Sequence, residues 1–116
     1  MMRKIKIYHN PRCSKSRQGL QILKDKGVDF EIVQYLKTPP TKEELKEIIK
    51  KLGIKPIDLV RKNEKIWKEN YKGKEVTDDE IIEAMVKFPK LIERPIVIKE
   101  DKAVLGRPPE NILDIV

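Results

Sequence analysis

Cys13 is the one cysteine of the chain, in the run Tyr8-His9-Asn10-Pro11-Arg12-Cys13-Ser14-Lys15-Ser16-Arg17. The run follows the alternating Ile5-Lys6-Ile7 and opens a helical pattern through Leu20, Ile22 and Leu23. A strand turning directly into a helix leaves the first helical N–H groups unpaired and places positive potential at the tip. A cysteine there is favoured as thiolate, and Arg12, Lys15 and Arg17 push the same way. The same tip is a natural seat for a tetrahedral oxyanion. The bland reading is a small buried residue, since free cysteine packs well in cores. The following proline-arginine company, Pro11-Arg12 before it and Ser14-Lys15 after it, argues instead for a reactive thiol beside an anion cradle.

The arginines point the same way. Among 26 basic residues, 20 are lysine and 6 arginine, so arginine is not the default surface cation here. Five of the six, Arg12, Arg17, Arg61, Arg94 and Arg107, fall in turns or at predicted element edges. Its planar fork grips oxyanions bidentately, which lysine cannot do. For any one of them ordinary ion pairing is the simpler account. Several of them beside a nucleophilic sulfur are harder to explain that way.

The elements that must position these groups are readable from periodicity and caps. Residues 3–8 predict a strand with Ile5 and Ile7 on one face. Residues 14–26 predict a helix stopped by Gly27, with Gly19 inside it marking close packing. Phe30, Ile32, Val33 and Tyr35 predict a second strand, and a βαβ unit of this length is right-handed with parallel strands. Thr41 with Glu44 forms a capping box before Leu45, Ile48, Ile49 and Leu52, and Gly53 stops that helix. Pro56 starts a short helix that delivers Arg61. Residues 63–74 predict a short helix and an exposed loop, with Trp67 as a packing anchor. Thr77 with Glu80 caps a helix through Ile81, Ile82, Met85 and Val86, closed before Pro89. Ile96-Val97-Ile98 and Ala103-Val104-Leu105 flank a hairpin turn at residues 99–102, and a short helix with Ile112 and Leu113 closes the chain.

Bulk properties bound the possibilities. At 116 residues the chain predicts one domain, 1–116, able to build a core without staples. A single cysteine excludes an internal disulfide and a zinc site built on several thiolates. The start of the chain carries no long apolar segment, so no membrane span or signal peptide is expected and a reducing cytoplasm is the default. The formal charge is +7, but Lys46, Lys50 and Lys51 alternate with Glu43, Glu44 and Glu47, as on a solvated helix face. The six aromatics form no stacking cluster with the basic residues, so nucleic acid is the weaker reading. No self-association stripe is evident, and a monomer is expected.

The order βαβ, helical block, ββα with a cysteine after the first strand is that of the thioredoxin/glutaredoxin fold, an α/β fold. It implies a mixed sheet of four strands with a helical insertion at about 41–93. Within that superfamily the sequence resembles the glutaredoxin-coupled arsenate reductase (ArsC) family over essentially its whole length. The resemblance rests on residues 8–17, Tyr35-Leu36, Pro39-Pro40, Leu59-Val60-Arg61-Lys62-Asn63, Thr77-Asp78-Asp79, Arg94-Pro95-Ile96-Val97 and Gly106-Arg107-Pro108.

The resemblance implies that Cys13 attacks arsenate as a thiolate, with Arg61, Arg94 and Arg107 binding the oxyanion. It places His9 near the sulfur, although a histidine at a strand end is as readily a plain hydrogen-bonder. It matches Pro95 to the cis-proline that faces the active cysteine in thioredoxin-like proteins. Asn10, Ser16 and Arg17 support the motif, Ser16 occupying the place of a resolving cysteine. Without a second cysteine the two-electron reduction needs an external donor, which the family draws from glutathione and glutaredoxin. No metal or tightly bound organic cofactor is implied. Two other readings stand beside it. Spx-type regulators share the fold and bind RNA polymerase, usually with a Cys-x-x-Cys switch that Ser16 removes here. A glutathione-dependent thiol oxidoreductase acting on another substrate would use the same fold.

Overall fold

The alternation in Ile5–Tyr8 buries Ile5, Ile7 and Tyr8, exposes Lys6, and forms the first strand, β1. The computed structural model describes residues 5–116, so residues 3 and 4 of the predicted strand lie outside the described residues. The chain resolves into two compact units, one comprising residues up to Thr38 with Arg94–Val116, the other Pro39–Glu93.

In the first unit, β1 leads through a turn to helix α1 (Ser14–Asp25) and strand β2 (Phe30–Val33). The chain returns as β3 (Ile96–Lys99), β4 (Lys102–Leu105) and a closing 3₁₀ helix, Pro109–Asp114. The sheet order is β2-β1-β3-β4, with β1 parallel to β2 and antiparallel to β3, and β3 antiparallel to β4. This is the four-stranded mixed sheet expected from the sequence. Its core joins Ile5, Ile7 and Val97 of the sheet to Leu23 of α1 and Ile112 of the closing helix. Gly27 takes φ +66° just past the Lys26 cap, a left-handed conformation that side chains rarely adopt. The second strand is shorter than predicted. The Gln34 carbonyl accepts from the N–H groups of both Lys37 and Thr38, which closes a turn and takes Tyr35 out of the strand while leaving it fully buried.

The second unit is helical: α2 (Lys42–Leu52), α3 (Lys65–Asn70) and α4 (Asp78–Lys87), with 3₁₀ turns at Pro56–Leu59 and Pro89–Leu91. Both predicted capping boxes form, Thr41 with Glu44 and Thr77 with Glu80. Leu45, Ile48 and Ile49 of α2 and Ile81, Ile82, Ala84 and Met85 of α4 are buried, as are Leu59 and Leu91. Trp67 is buried and stacks on Tyr71 with ring centroids 5.1 Å apart, a packing role. Among the described residues no helix is long and apolar enough to cross a membrane.

Candidate active site

Strand register gathers three distant stretches. Tyr8 stands opposite Ile96, and Ile96 opposite Leu105. The residues after Tyr8, before Ile96 and after Leu105 therefore leave the sheet at one end, across strands about 5 Å apart. Those residues are the Cys13 loop, Arg94-Pro95 and Gly106-Arg107. The Arg94–Pro95 peptide is cis, as the resemblance implied, and so is Arg107–Pro108, for which the sequence carried no signal. Two glycines permit the approach. A Cβ on Gly19 would lie 2.9 Å from Pro95 Cγ and 2.8 Å from Ile112 Cδ1, and one on Gly106 would lie 2.8 Å from Pro95 Cγ. Gly19 was legible as a close-packing site; Gly106 was not.

The loop before Cys13 is tied internally. The Asn10 side-chain oxygen accepts from the Arg12 N–H at 3.0 Å, and the Asn10 carbonyl accepts from the Cys13 N–H at 3.0 Å. The Asn10 N–H donates to Ser16 Oγ at 2.9 Å, and Ser16 Oγ lies 2.7 Å from His9 Nδ1. Ser16 is fully buried, so this pair is sealed inside the loop. Burial, with smaller effects from Arg17 and Lys24, lowers the His9 pKa below its ordinary 6.5, so the ring is neutral at pH 7.

Cys13 is half-buried and caps α1 with extended backbone, φ −92°, ψ 124°. Burial pushes its thiol up, but the Ser16 N–H, the Arg94 guanidinium and the Lys15 N–H together outweigh burial and hold the pKa below the ordinary value. The first turn of α1 contains no acidic residue, so nothing offsets the positive helix end. The sequence assigned part of this effect to the charges of Arg12, Lys15 and Arg17. In the structure the cation that acts is Arg94, Lys15 acts through its backbone, and Arg17 donates to the Pro11 carbonyl at 2.9 Å.

Arg94 is only 8% exposed, and its Nε is sealed from solvent with no hydrogen-bond partner among the described residues. Arg107 is exposed and donates to the Arg94 carbonyl at 3.3 Å. Cys13, His9, Asn10, Ser16, Arg17, Arg94, Pro95 and Arg107 all lie in the sheet-bearing unit. Arg61 belongs to the helical unit, where it pairs with Glu64 at 3.6 Å and Glu93 at 3.4 Å. Among the described residues no group of three or more His, Cys, Asp and Glu side chains is placed to hold a metal ion.

Residues 8–115 match the sequence profile of the ArsC family. The chain belongs to the ArsC family. It is 48% identical over 118 residues to the Escherichia coli K12 protein YfgD, covering 100% of this chain and 99% of that one. It is 44% identical over 113 residues to the arsenate reductase of Neisseria meningitidis serogroup A, covering 96% and 97%. Its fold superposes on the structure of an arsenate reductase from Vibrio cholerae with a TM-score of 0.94 and 42% identity, covering 100% of both chains. The thioredoxin-like ArsC fold accounts for the convergence at one sheet end.

One feature of this ArsC chain escaped the sequence. A pocket of about 220 Å³ opens beside the Cys13 loop, lined by His9, Asn10, Pro11, Arg12, Gln34, Leu36 and Lys37. Gln34, Leu36 and Lys37 reach it only because β2 ends early and the chain turns back.

Proposed function

We propose that this chain is an arsenate reductase that works through Cys13, with glutathione and glutaredoxin as external reductants, in the reducing cytoplasm. The observation that carries the reading is the Cys13 sulfur at the tip of α1 with the buried Arg94 guanidinium beside it, whose Nε has no partner among the described residues. A buried donor without a partner costs roughly 1–3 kcal/mol, and an oxyanion bound at the sulfur would recover it. The arsenate names of the close relatives supply the anion.

The Cys13 thiolate attacks arsenic, forming an S–As bond while one arsenate oxygen leaves as water after taking up protons. Arg94 and Arg107 carry the charge on the remaining oxygens. A glutathione thiolate then attacks Cys13 Sγ. An S–S bond forms, the S–As bond breaks with its electron pair left on arsenic, and As(V) becomes As(III) as arsenite. Glutaredoxin clears the resulting Cys13–glutathione disulfide. The neutral His9, Ser16 and Asn10 hold the loop so that the sulfur meets the helix tip. No metal or tightly bound cofactor enters these steps.

Arsenite production by the purified protein with arsenate, glutathione and glutaredoxin tests the reading. Turnover that disappears in Cys13→Ser supports it. No arsenite from the wild type, together with capture of RNA polymerase, would assign the chain to the Spx-type regulators instead.

A further inference from the structure

Resting on the reading above, we infer that the pocket beside the Cys13 loop is the docking site of the thiol co-substrate, and that it selects a thiol carrying carboxylates. The pocket is lined by Arg12, the residue immediately before Cys13, and adjacent Cα atoms are about 3.8 Å apart. The pocket therefore adjoins the loop that carries the sulfur a thiol must attack. The lining carries two cations, Arg12 and Lys37, and no acid. Neither side chain has an ion-pair partner among the described residues. Leu36 is 40% exposed and, with Pro11, gives an apolar floor, while Gln34 and Asn10 offer amide groups suited to a peptide backbone. At about 220 Å³ the space is below the roughly 300–1,000 Å³ of sites for drug-sized ligands, and suits one end of a short peptide. A small anionic peptide thiol meets all these features. A neutral thiol uses none of the charge.

The attack can be read without arsenate. Cys13, the only cysteine, is converted to its mixed disulfide with thionitrobenzoate. An incoming thiolate attacks Cys13 Sγ, forms the new S–S bond and expels the coloured thionitrobenzoate, so atoms and electrons balance within the exchange. Rates are compared for glutathione and for its diethyl ester, which carries the same thiol with both carboxylates capped. The wild type should prefer glutathione, and Lys37→Glu should reduce that preference roughly tenfold, as reversal of one close charge allows. Lys102→Glu makes the same change in net charge at the other end of β4 and should leave most of the preference in place.

An equal loss of preference in both variants would assign selectivity to the overall positive field and overturn the proposal, as would no preference in the wild type. Because no arsenate is present, a chain that makes no arsenite can still show pocket selectivity. A chain that makes arsenite with no charge preference refutes the pocket alone.

Discussion

Ser16 Oγ lies 2.7 Å from His9 Nδ1, so one buried hydroxyl joins the residue that follows β1 to the first turn of α1. The same oxygen takes the Asn10 N–H. Replacing Ser16 by Ala leaves both groups buried without a partner, at roughly 1–3 kcal/mol. Denaturant unfolding of Ser16→Ala should show that loss. Stability equal to wild type would mean the hydroxyl is not the fastener.

His9 should titrate below 6.5 when followed by NMR. Because the folded pKa is the lower one, the unfolded chain binds more protons between the two values. This group's contribution to stability is therefore complete above 6.5 and shrinks as pH falls toward the folded pKa. A ring that protonates at or above 6.5 contradicts the burial argument.

The rate of Cys13 alkylation against pH should have its midpoint below the ordinary thiol value of 9.0. Arg94→Ala removes the cation that acts on the sulfur and should move the midpoint up. Arg17→Ala should move it less, since that guanidinium is engaged with the Pro11 carbonyl. As an acid with a lowered folded pKa, Cys13 adds stability that is full above 9.0 and declines as pH falls to the folded value. Equal shifts in the two variants would return the effect to undirected neighbouring charge.

Gly19→Ala sets helix preference against space. Alanine favours a helix interior by about 1 kcal/mol, yet its Cβ would meet the rigid Pro95 ring at 2.9 Å. Overpacking of this kind costs roughly 1–3 kcal/mol, so net destabilisation is expected in a urea titration. A more stable variant would show that α1 can shift away from Pro95.

Arg107→Ala should raise the arsenate KM roughly tenfold, the worth of a charge-assisted hydrogen bond, while moving the Cys13 midpoint less than Arg94→Ala. Steady-state kinetics read against the alkylation curve separate the two roles. An unchanged KM would remove Arg107 from the oxyanion site.

Local signals carried much of the architecture. The Ile5-Lys6-Ile7 alternation, the Thr41/Glu44 and Thr77/Glu80 boxes, and the stops at Gly27 and Gly53 each act within a few residues, where sequence and structure stand close together. The end of β2 did not follow from its residues, because Val33 and Tyr35 suit a strand and a backbone carbonyl at Gln34 decides the turn. The cation acting on Cys13 was likewise hidden. Arg12 and Arg17 are its neighbours in sequence, but Arg94 becomes a neighbour only through the β1–β3 register. Gly106 is placed by the β3–β4 pairing, and the pocket around Lys37 by the β1–β2 pairing and the turn at Gln34. The placing of Cys13 at the tip of α1 was legible from one segment; its surroundings required the fold.

Protection of Cys13 from alkylation by arsenate tests the central claim most directly, because it needs only the sulfur and its anion site. The wild-type alkylation rate should fall saturably as arsenate is added at constant ionic strength, and Arg94→Ala should need at least about tenfold more arsenate for the same protection. An alkylation rate indifferent to arsenate would mean that the thiolate and the arginine do not share an oxyanion.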